Sequence, residues 1–485
     1  MVMAYPPRRL SAGALADLPA TVTPPGYDLG GVTVGQVHLG LGGFHRAHQA
    51  WCADAALNLD PRWAISAYTW RNTTLPRILA DQDGLYTVTA ADANSESVSV
   101  LGAIRFARCA GIDAAAFRTD VARPEVGVLT LTVTEKAYPR DRDGNLDLTD
   151  PAIAADLDDP QPGRSVVGLV AGALAERARA GSGPIAVISC DNLRGNGEVL
   201  ARLVGDFVDT HPTLAAGGSR SWIDDHVSFP STVVDRIVPD PDEEARRHVA
   251  QLAGIDDQAA VLTEPFLQWV IQDDFRGPRP PWEEVGAIVV DDVAPFEDLK
   301  LRVLNGAHSA CAYRGLLAGH GDVRAALTDP AISSFVSDLL TGEVLPALPP
   351  VPTDVASYAR TVLQRFVNPK LHYSLDKLAA DGTQKLQQRL APTALALIAG
   401  GRPATRVAAV WADWVRWVLW CAGNDPQRLS DPRAEQLLHV AHRAVHSDVI
   451  ADIAGDLLNV AAPSALTADR QFRAEVVAQA MVGSR

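Results

Sequence analysis

The stretch Val32–Leu57, VTVGQVHLGLGGFHRAHQAWCADAAL, decides how this chain is read. It opens with β-branched and apolar residues suited to a buried strand, turns at Gly40-Leu41-Gly42-Gly43-Phe44, and continues in a helical pattern. Glycines at a strand-to-helix turn let phosphates approach the backbone, and the following helix start offers free N–H groups and a positive dipole end. The G-x-G-x-x-G pattern is incomplete, because His45 holds the third glycine's place. Two readings stand: a plain tight turn, or a dinucleotide cradle made by Gly40, Gly42, Gly43 and Phe44. Its place after the first apolar strand and before a helix favours the cradle.

Outward from this unit the pattern repeats. WAISAYTW (63–70) reads as a second strand, followed by a helix-like stretch with Leu75, Ile78 and Leu79. YTVTA and SVSVLGAIRF read as further strands, and VGVLTLTVTE (126–135) as a buried strand ending in Glu135. VVGLVAGALAERARA is helical, and PIAVISCDN (184–192) is another apolar strand with a polar end. Strands alternating with helices predict an α/β fold with a Rossmann-type, doubly wound parallel sheet. Residues 1–30 are Pro-rich and read as an irregular surface leader. Beyond about residue 285 the pattern is helical, starting with PFEDLKLRVLNGAHSACAYRGLLAGH (295–320). The expected division is a dinucleotide-binding domain over 1–285 and a mainly helical substrate domain over 286–485. Trp411, Trp414, Trp417 and Trp420 recur every three residues, a core or subunit-contact stripe.

The bulk numbers bound the function. A chain of 485 residues exceeds one hydrophobic core, and 47% hydrophobic with 21% charged residues is ordinary globular composition. The net charge of −15 disfavours a nucleic-acid partner. Cys52, Cys109, Cys190, Cys311 and Cys421 are scattered and odd in number, as expected of buried thiols in a reducing compartment. Neither a signal peptide nor an apolar run of membrane-spanning length is visible, so a cytoplasmic setting without membrane partners is expected.

Several polar residues sit where chemistry is done. Asp191, Asn192 and Asn196 follow the strand PIAVISC, and the carboxyl ends of parallel strands are where ligands gather. Asn192 either faces such a ligand or caps the next helix, and Glu135 has the same standing. His45 and His48 are three apart, but no third ligand is near, so no metal site is expected. The strongest local signal is Lys300, Asn305 and His308. On an ideal helix at about 100° per residue they fall within one face. Among Leu299, Leu301, Val303, Leu304, Ala307 and Ala310 a lysine is expected to lose hydration and to serve as a base. The alternative is a lysine that snorkels to solvent beside a capping asparagine.

VHLGLGGFHRAHQA, LTVTEKAY, ISCDN, FPSTVVDRIVP, EPFLQWVIQDDF, LKLRVLNGAHSACAY and RFVNP…DGTQKL together resemble the mannitol dehydrogenase family of long-chain polyol dehydrogenases, from about residue 32 to 480. The resemblance implies a Rossmann-type domain, a helical C-terminal domain and an active site in the cleft between them. It implies that Lys300 is the general base without zinc. It also implies that Asn192 and Asn305 stabilise the developing oxyanion and that His308 hydrogen-bonds the reacting hydroxyl or its neighbour. Asp235 and Lys385 then match substrate-binding positions, and Glu135 a glutamate near the lysine, on its proton path.

Two positions depart from the family's pattern. Lys377 stands where mannitol-oxidising members carry an arginine, which leaves the substrate's far end open. After WAISAYTW the chain reads Arg71-Asn72-Thr73-Thr74, where an acid would hold the ribose 2′-hydroxyl of NAD. NAD is the expected cofactor, with NADP possible through Arg71. TEKAY and DGNLDLTDPAIAADL are closer to fructuronate reductases, which belong to the same family. The expected reaction interconverts a polyol or aldonate and its keto-sugar. D-mannitol to D-fructose comes first, with D-mannonate to D-fructuronate and arabinitol oxidation as alternatives. A sugar-responsive binding protein on an inactive scaffold is the non-enzyme reading, which the full set Lys300, Asn305 and His308 disfavours.

Overall fold

The computed structural model describes residues 8–239, 243–443 and 450–482. It divides into two compact units, Met1–Ala294 and Pro295–Arg485.

In the first unit the apolar runs of the sequence become six parallel strands: β1 (Val34–Leu39), β2 (Ala64–Thr69), β3 (Ile104–Cys109), β4 (Val128–Leu131), β5 (Ile185–Ser189) and β6 (Val227–Ser228). Their spatial order is β3-β2-β1-β4-β5-β6, with every pair parallel. This is the order of dinucleotide-binding doubly wound sheets, with the switch of direction between β1 and β4. Strands buried on both faces need apolar residues without alternation, which is why β2, β4 and β5 are buried throughout. Among the polar exceptions, Gln36 Nε2 donates to Trp63 O at 2.6 Å.

The helices that position the site are α1 (Gly43–Ala47), α2 (Gln49–Leu57), α3 (Val166–Ala180) and α4 (Asn196–Thr210). Helix α3 starts at Ser165, whose side chain accepts from Gly168 N, and stops at Gly181 with φ +67°. A three-stranded sheet follows: β7 (Thr232–Asp235) runs antiparallel to β8 (Gln268–Gln272), which pairs parallel with β9 (Ile288–Val290). Because β9 still belongs to this sheet, the structural division falls after Ala294 and not at 285/286.

The described part of the N-terminal leader is not an irregular surface segment. Arg8–Arg9 pair with Ile255–Asp256, and Val22–Thr23 add a strand beside Val98–Ser99. Leu10, Ala14 and Val22 are buried. Their spacing is too short to show a period, and only burial against distant strands reveals their role.

The second unit contains no strand among its described residues. Helix α5 (Gly306–Leu317) packs against α6 (Leu375–Ala379), α7 (Gly382–Arg389) and α8 (Thr405–Asn424), while α9 (Arg470–Met481) lies along α8. Trp411, Trp414 and Trp417 are core residues of α8, whereas Trp420 is 37% exposed and stacks on Trp417 at 5.1 Å.

Candidate active site

The turn after β1 is held by its neighbour. Gly40 N and Leu41 N both donate to Tyr68 O on β2, at 2.8 and 2.9 Å. Gly40 has φ +106°, and a Cβ there would lie 2.1 Å from Thr132 O, so the fold itself demands glycine. Gly42 is different. Its backbone is extended (φ −141°), and a Cβ would meet only Gly40 O at 3.6 Å. A Cβ on Gly43 would meet only Val238 Cγ1 at 3.7 Å. The protein leaves room above these two residues that a side chain would fill, which fits a turn approached by a ligand's phosphates.

His45 explains the missing third glycine. That glycine ordinarily allows close helix–strand packing. Here the fully buried His45 ring lies flat on His38 of β1, with centroids 3.3 Å apart and planes 10° apart. His38 bridges Thr130 Oγ1 at 2.8 Å and Thr132 Oγ1 at 3.1 Å, and Thr132 Oγ1 donates to Gly40 O at 2.9 Å. Burial lowers the His38 pKa to about 3 and holds that of His45 well below the usual value. The expected single helix breaks at His48 (φ −124°, ψ −86°), whose Nε2 lies 3.0 Å from Gln268 O. Phe44 stacks on His48 at 5.0 Å. Among the described residues no three His, Cys, Asp or Glu gather as a metal cluster.

At the carboxyl ends of β4 and β5 the roles divide. Asp191 accepts from Val133 N, Thr134 N and Tyr138 OH at 3.1, 2.7 and 2.6 Å. Burial raises its pKa, while Tyr138 and the two backbone donors oppose the rise. Asp191 thereby pins the loop that carries Glu135. That residue does not end a strand: β4 stops at Leu131, and the exposed Glu135 opens a short 3₁₀ turn. Asn192 is exposed and does not cap α4, whose N-cap is Gly195. The structural asparagine is Asn196, fully buried, with Nδ2 donating to Asp191 O and Thr232 O, both at 3.0 Å. Asp235 is buried at the end of β7, opposite Gln268. Arg71 is exposed in the loop after β2.

In the second unit, Lys300–Asn305 is a π-helical turn that runs into α5. This corrects the ideal-helix wheel. Hydrogen bonds from i to i+5 bring residues five apart nearly into register, so Lys300 and Asn305 lie closer around the axis than 140°. Lys300 is half-buried, and the run is less apolar than its sequence reads, since Arg302 pairs with Asp298 at 3.4 Å. Asn305 is 8% exposed, and its Nδ2 has no hydrogen-bond partner among the described residues. His308 is buried and stacks on Phe366 at 4.2 Å. Lys385 Nζ donates to the backbone carbonyls of Lys377 and Leu378, both at 3.4 Å.

The Mannitol dehydrogenase Rossmann domain profile matches residues 34–284, and the Mannitol dehydrogenase C-terminal domain profile matches 292–457. This chain belongs to the mannitol dehydrogenase family. A D-mannonate oxidoreductase of Escherichia coli is 39% identical over 396 residues, 80% of each chain. A D-arabinitol 4-dehydrogenase of Ralstonia nicotianae is 38% identical over 372 residues, 75% of this chain and 79% of that one. The solved Pseudomonas fluorescens mannitol 2-dehydrogenase, a ternary complex with NAD and D-mannitol, matches with a TM-score of 0.83 at 34% identity. That match covers 97% of this chain and 96% of the other.

Three positioning residues of this mannitol dehydrogenase-family chain escape a local reading. Arg46 Nε donates to Gly42 O at 3.1 Å, and Arg236 donates to Ala47 O at the end of α1 while lying 4.7 Å over the Trp51 ring. Arg389 donates to Asn305 O at 3.3 Å and to Ser309 Oγ at 3.1 Å. An arginine inside an otherwise apolar or motif-bearing segment, as in VVDRI, is the available signal.

Proposed function

We propose that this chain is an NAD-dependent dehydrogenase that interconverts a polyol or aldonate and its keto-sugar. D-mannitol and D-fructose are the first substrate pair to consider. The single observation that carries the chemistry is Asn305, whose buried Nδ2–H donor has no partner among the described residues and lies one π-turn from Lys300. A buried amide donor left unmade costs about 1–3 kcal/mol, which a substrate oxygen offsets.

In the oxidation direction the neutral Lys300 amine takes the hydroxyl proton of the substrate. The Asn305 and Asn192 side-chain amides donate to the oxygen as negative charge grows on it, a task that zinc performs in other dehydrogenases. His308 orients the reacting hydroxyl or its neighbour, with its ring plane fixed by Phe366. Asp235, Lys377 and Lys385 bind the remaining hydroxyls, and Glu135 relays the proton from Lys300 to solvent. Gly40, Gly42, Gly43, Phe44 and Arg71 hold the dinucleotide. When bound, it accepts the hydride that leaves the same carbon.

One observation favours the acid analogue, D-mannonate to D-fructuronate, as a second reading. The Lys385 ammonium sits at the Lys377 backbone, 3.9 Å from Asp381, and a lysine ammonium there suits a terminal carboxylate. A panel of mannitol, arabinitol, sorbitol, fructose, fructuronate and tagaturonate, each with NAD(H) and NADP(H), decides between them. Turnover of none of these substrates overturns the proposal.

A further inference from the structure

We infer that the segment Asp425–Asp431 is a brace for the two substrate lysines, with Trp420, Arg428 and Asp431 as positioning residues that touch no substrate; this rests on the reading above that Lys377 and Lys385 bind it. Lys377 lies on α6 and Lys385 on α7, short helices of 5 and 8 residues. Helices of this length do not hold their shape alone in water, so their side chains are placed by whatever grips the helix from outside.

Helix α7 starts under a cap from elsewhere in the chain. Its own N-cap residue, Asp381, makes no side-chain capping bond and stands at φ +57°, which a residue other than glycine adopts at a cost. The Asp381 carboxylate lies instead 3.9 Å from Lys385 Nζ. Capping falls to Asp431, which accepts from Thr383 N at 2.9 Å and from Thr383 Oγ1 at 2.7 Å. Beside it, Asp381 N donates to Ser430 O at 2.8 Å. A Cβ on Gly382 would lie 2.6 Å from both Trp414 Nε1 and Tyr313 Oη, so the start of α7 is pressed against α8 and α5.

The same segment reaches α6 through Arg428. Its Nη2 and Nε donate to Asp376 Oδ1 at 2.6 and 3.1 Å, one residue before Lys377. An exposed ion pair contributes little unless its geometry is fixed. Here it is fixed, because Arg428 lies over the stacked rings of Trp417 and Trp420, 4.9 and 5.3 Å from their centres. That gives the exposed Trp420 a role that core packing does not. Leu429, between the two anchors, is buried. The segment therefore ties α6 and α7 to the end of α8, and with them the backbone positions of both lysines.

Steady-state kinetics on the panel substrate that the parent turns over best test the brace. Asp431→Ala is expected to raise KM about tenfold with kcat within about threefold, because a lysine that binds substrate away from the reacting carbon acts on ground and transition state alike. NADH titration returns the parent's affinity. Asp431→Asn keeps one acceptor oxygen and raises KM less. Arg428→Met and Trp420→Ala each raise it about threefold. In a Lys385→Ala background, Asp431→Ala adds less than about twofold, since the helix start then has no lysine to place. If circular dichroism shows Asp431→Ala unfolded, Asp431→Asn carries the same comparison in both backgrounds. The parent's KM in the folded Asp431 variant, or an equal rise with and without Lys385, overturns the brace and leaves the dehydrogenase reading intact. Lys385→Ala with the parent's KM overturns the substrate role of Lys385, and the brace with it.

Discussion

Gly40 and Gly42 stand two residues apart in one motif, yet the structure assigns them opposite kinds of importance. At Gly40 an alanine must adopt φ +106° and place its Cβ 2.1 Å from Thr132 O. That carbonyl cannot retreat easily, because Thr132 N is bonded to Leu39 O at 2.9 Å and Thr132 Oγ1 to Gly40 O. Left-handed strain of about 1–3 kcal/mol adds to a backbone clash, so Gly40→Ala loses on the order of 3 kcal/mol or more of stability. At Gly42 the backbone is extended and the nearest atom to a Cβ is 3.6 Å away. Gly42→Val therefore stays within about 0.5 kcal/mol of the parent. It fills the space that the proposed function gives to the pyrophosphate, and blocking one or two charge-assisted bonds there is expected to weaken NADH binding about ten- to a hundredfold. Urea unfolding followed by circular dichroism reads the first effect, and NADH fluorescence titration reads the second. A Gly40→Ala protein as stable as the parent, or Gly42→Val binding NADH normally, refutes the reasoning.

The buried histidine pair makes the fold acid-sensitive. An unfolded histidine takes its proton near pH 6.5, whereas folded His38 does so only at about 3, so acidification favours the unfolded chain. Stability falls as pH drops through 6.5, by about 2 kcal/mol at pH 5 from His38 alone. The urea midpoint of His38→Gln should therefore fall less steeply from pH 7 to 5 than the parent's, and equal slopes contradict this. Activity is expected to survive prolonged EDTA treatment, since the charge on the substrate oxygen is assigned to Asn192 and Asn305. Loss that is restored specifically by zinc contradicts that assignment.

The parallel sheet was legible because strands buried on both faces are mostly apolar, and β2, β4 and β5 carry that signature without help from distant residues, while β1 interrupts it with Gln36 and His38. The glycine turn was legible for the same reason. Other features depend on partners far along the chain. Leu10 and Val22 look like a loose leader until they pack against strands 75 or more residues away. The imidazole at the third glycine's place makes sense only beside His38, whose ring lies flat against it. A period of 3.6 residues cannot reveal a π-turn at Lys300–Asn305, because the extra residue per turn is a feature of hydrogen bonding rather than of composition. Asp191 and Asn196 look like site residues by position, but their bonds show them holding loops.

The central claim is that Lys300 takes the substrate proton. Single-turnover formation of NADH by Lys300→Ala, saturated with NAD and the preferred substrate of the panel, tests it most directly. Circular dichroism on the same sample establishes that the variant is folded. The expected rate is lower than the parent's by on the order of 10²–10⁴-fold, with NAD still bound and with the parent's rise in rate with pH abolished. A folded Lys300→Ala protein that reduces NAD at nearly the parent rate contradicts the account.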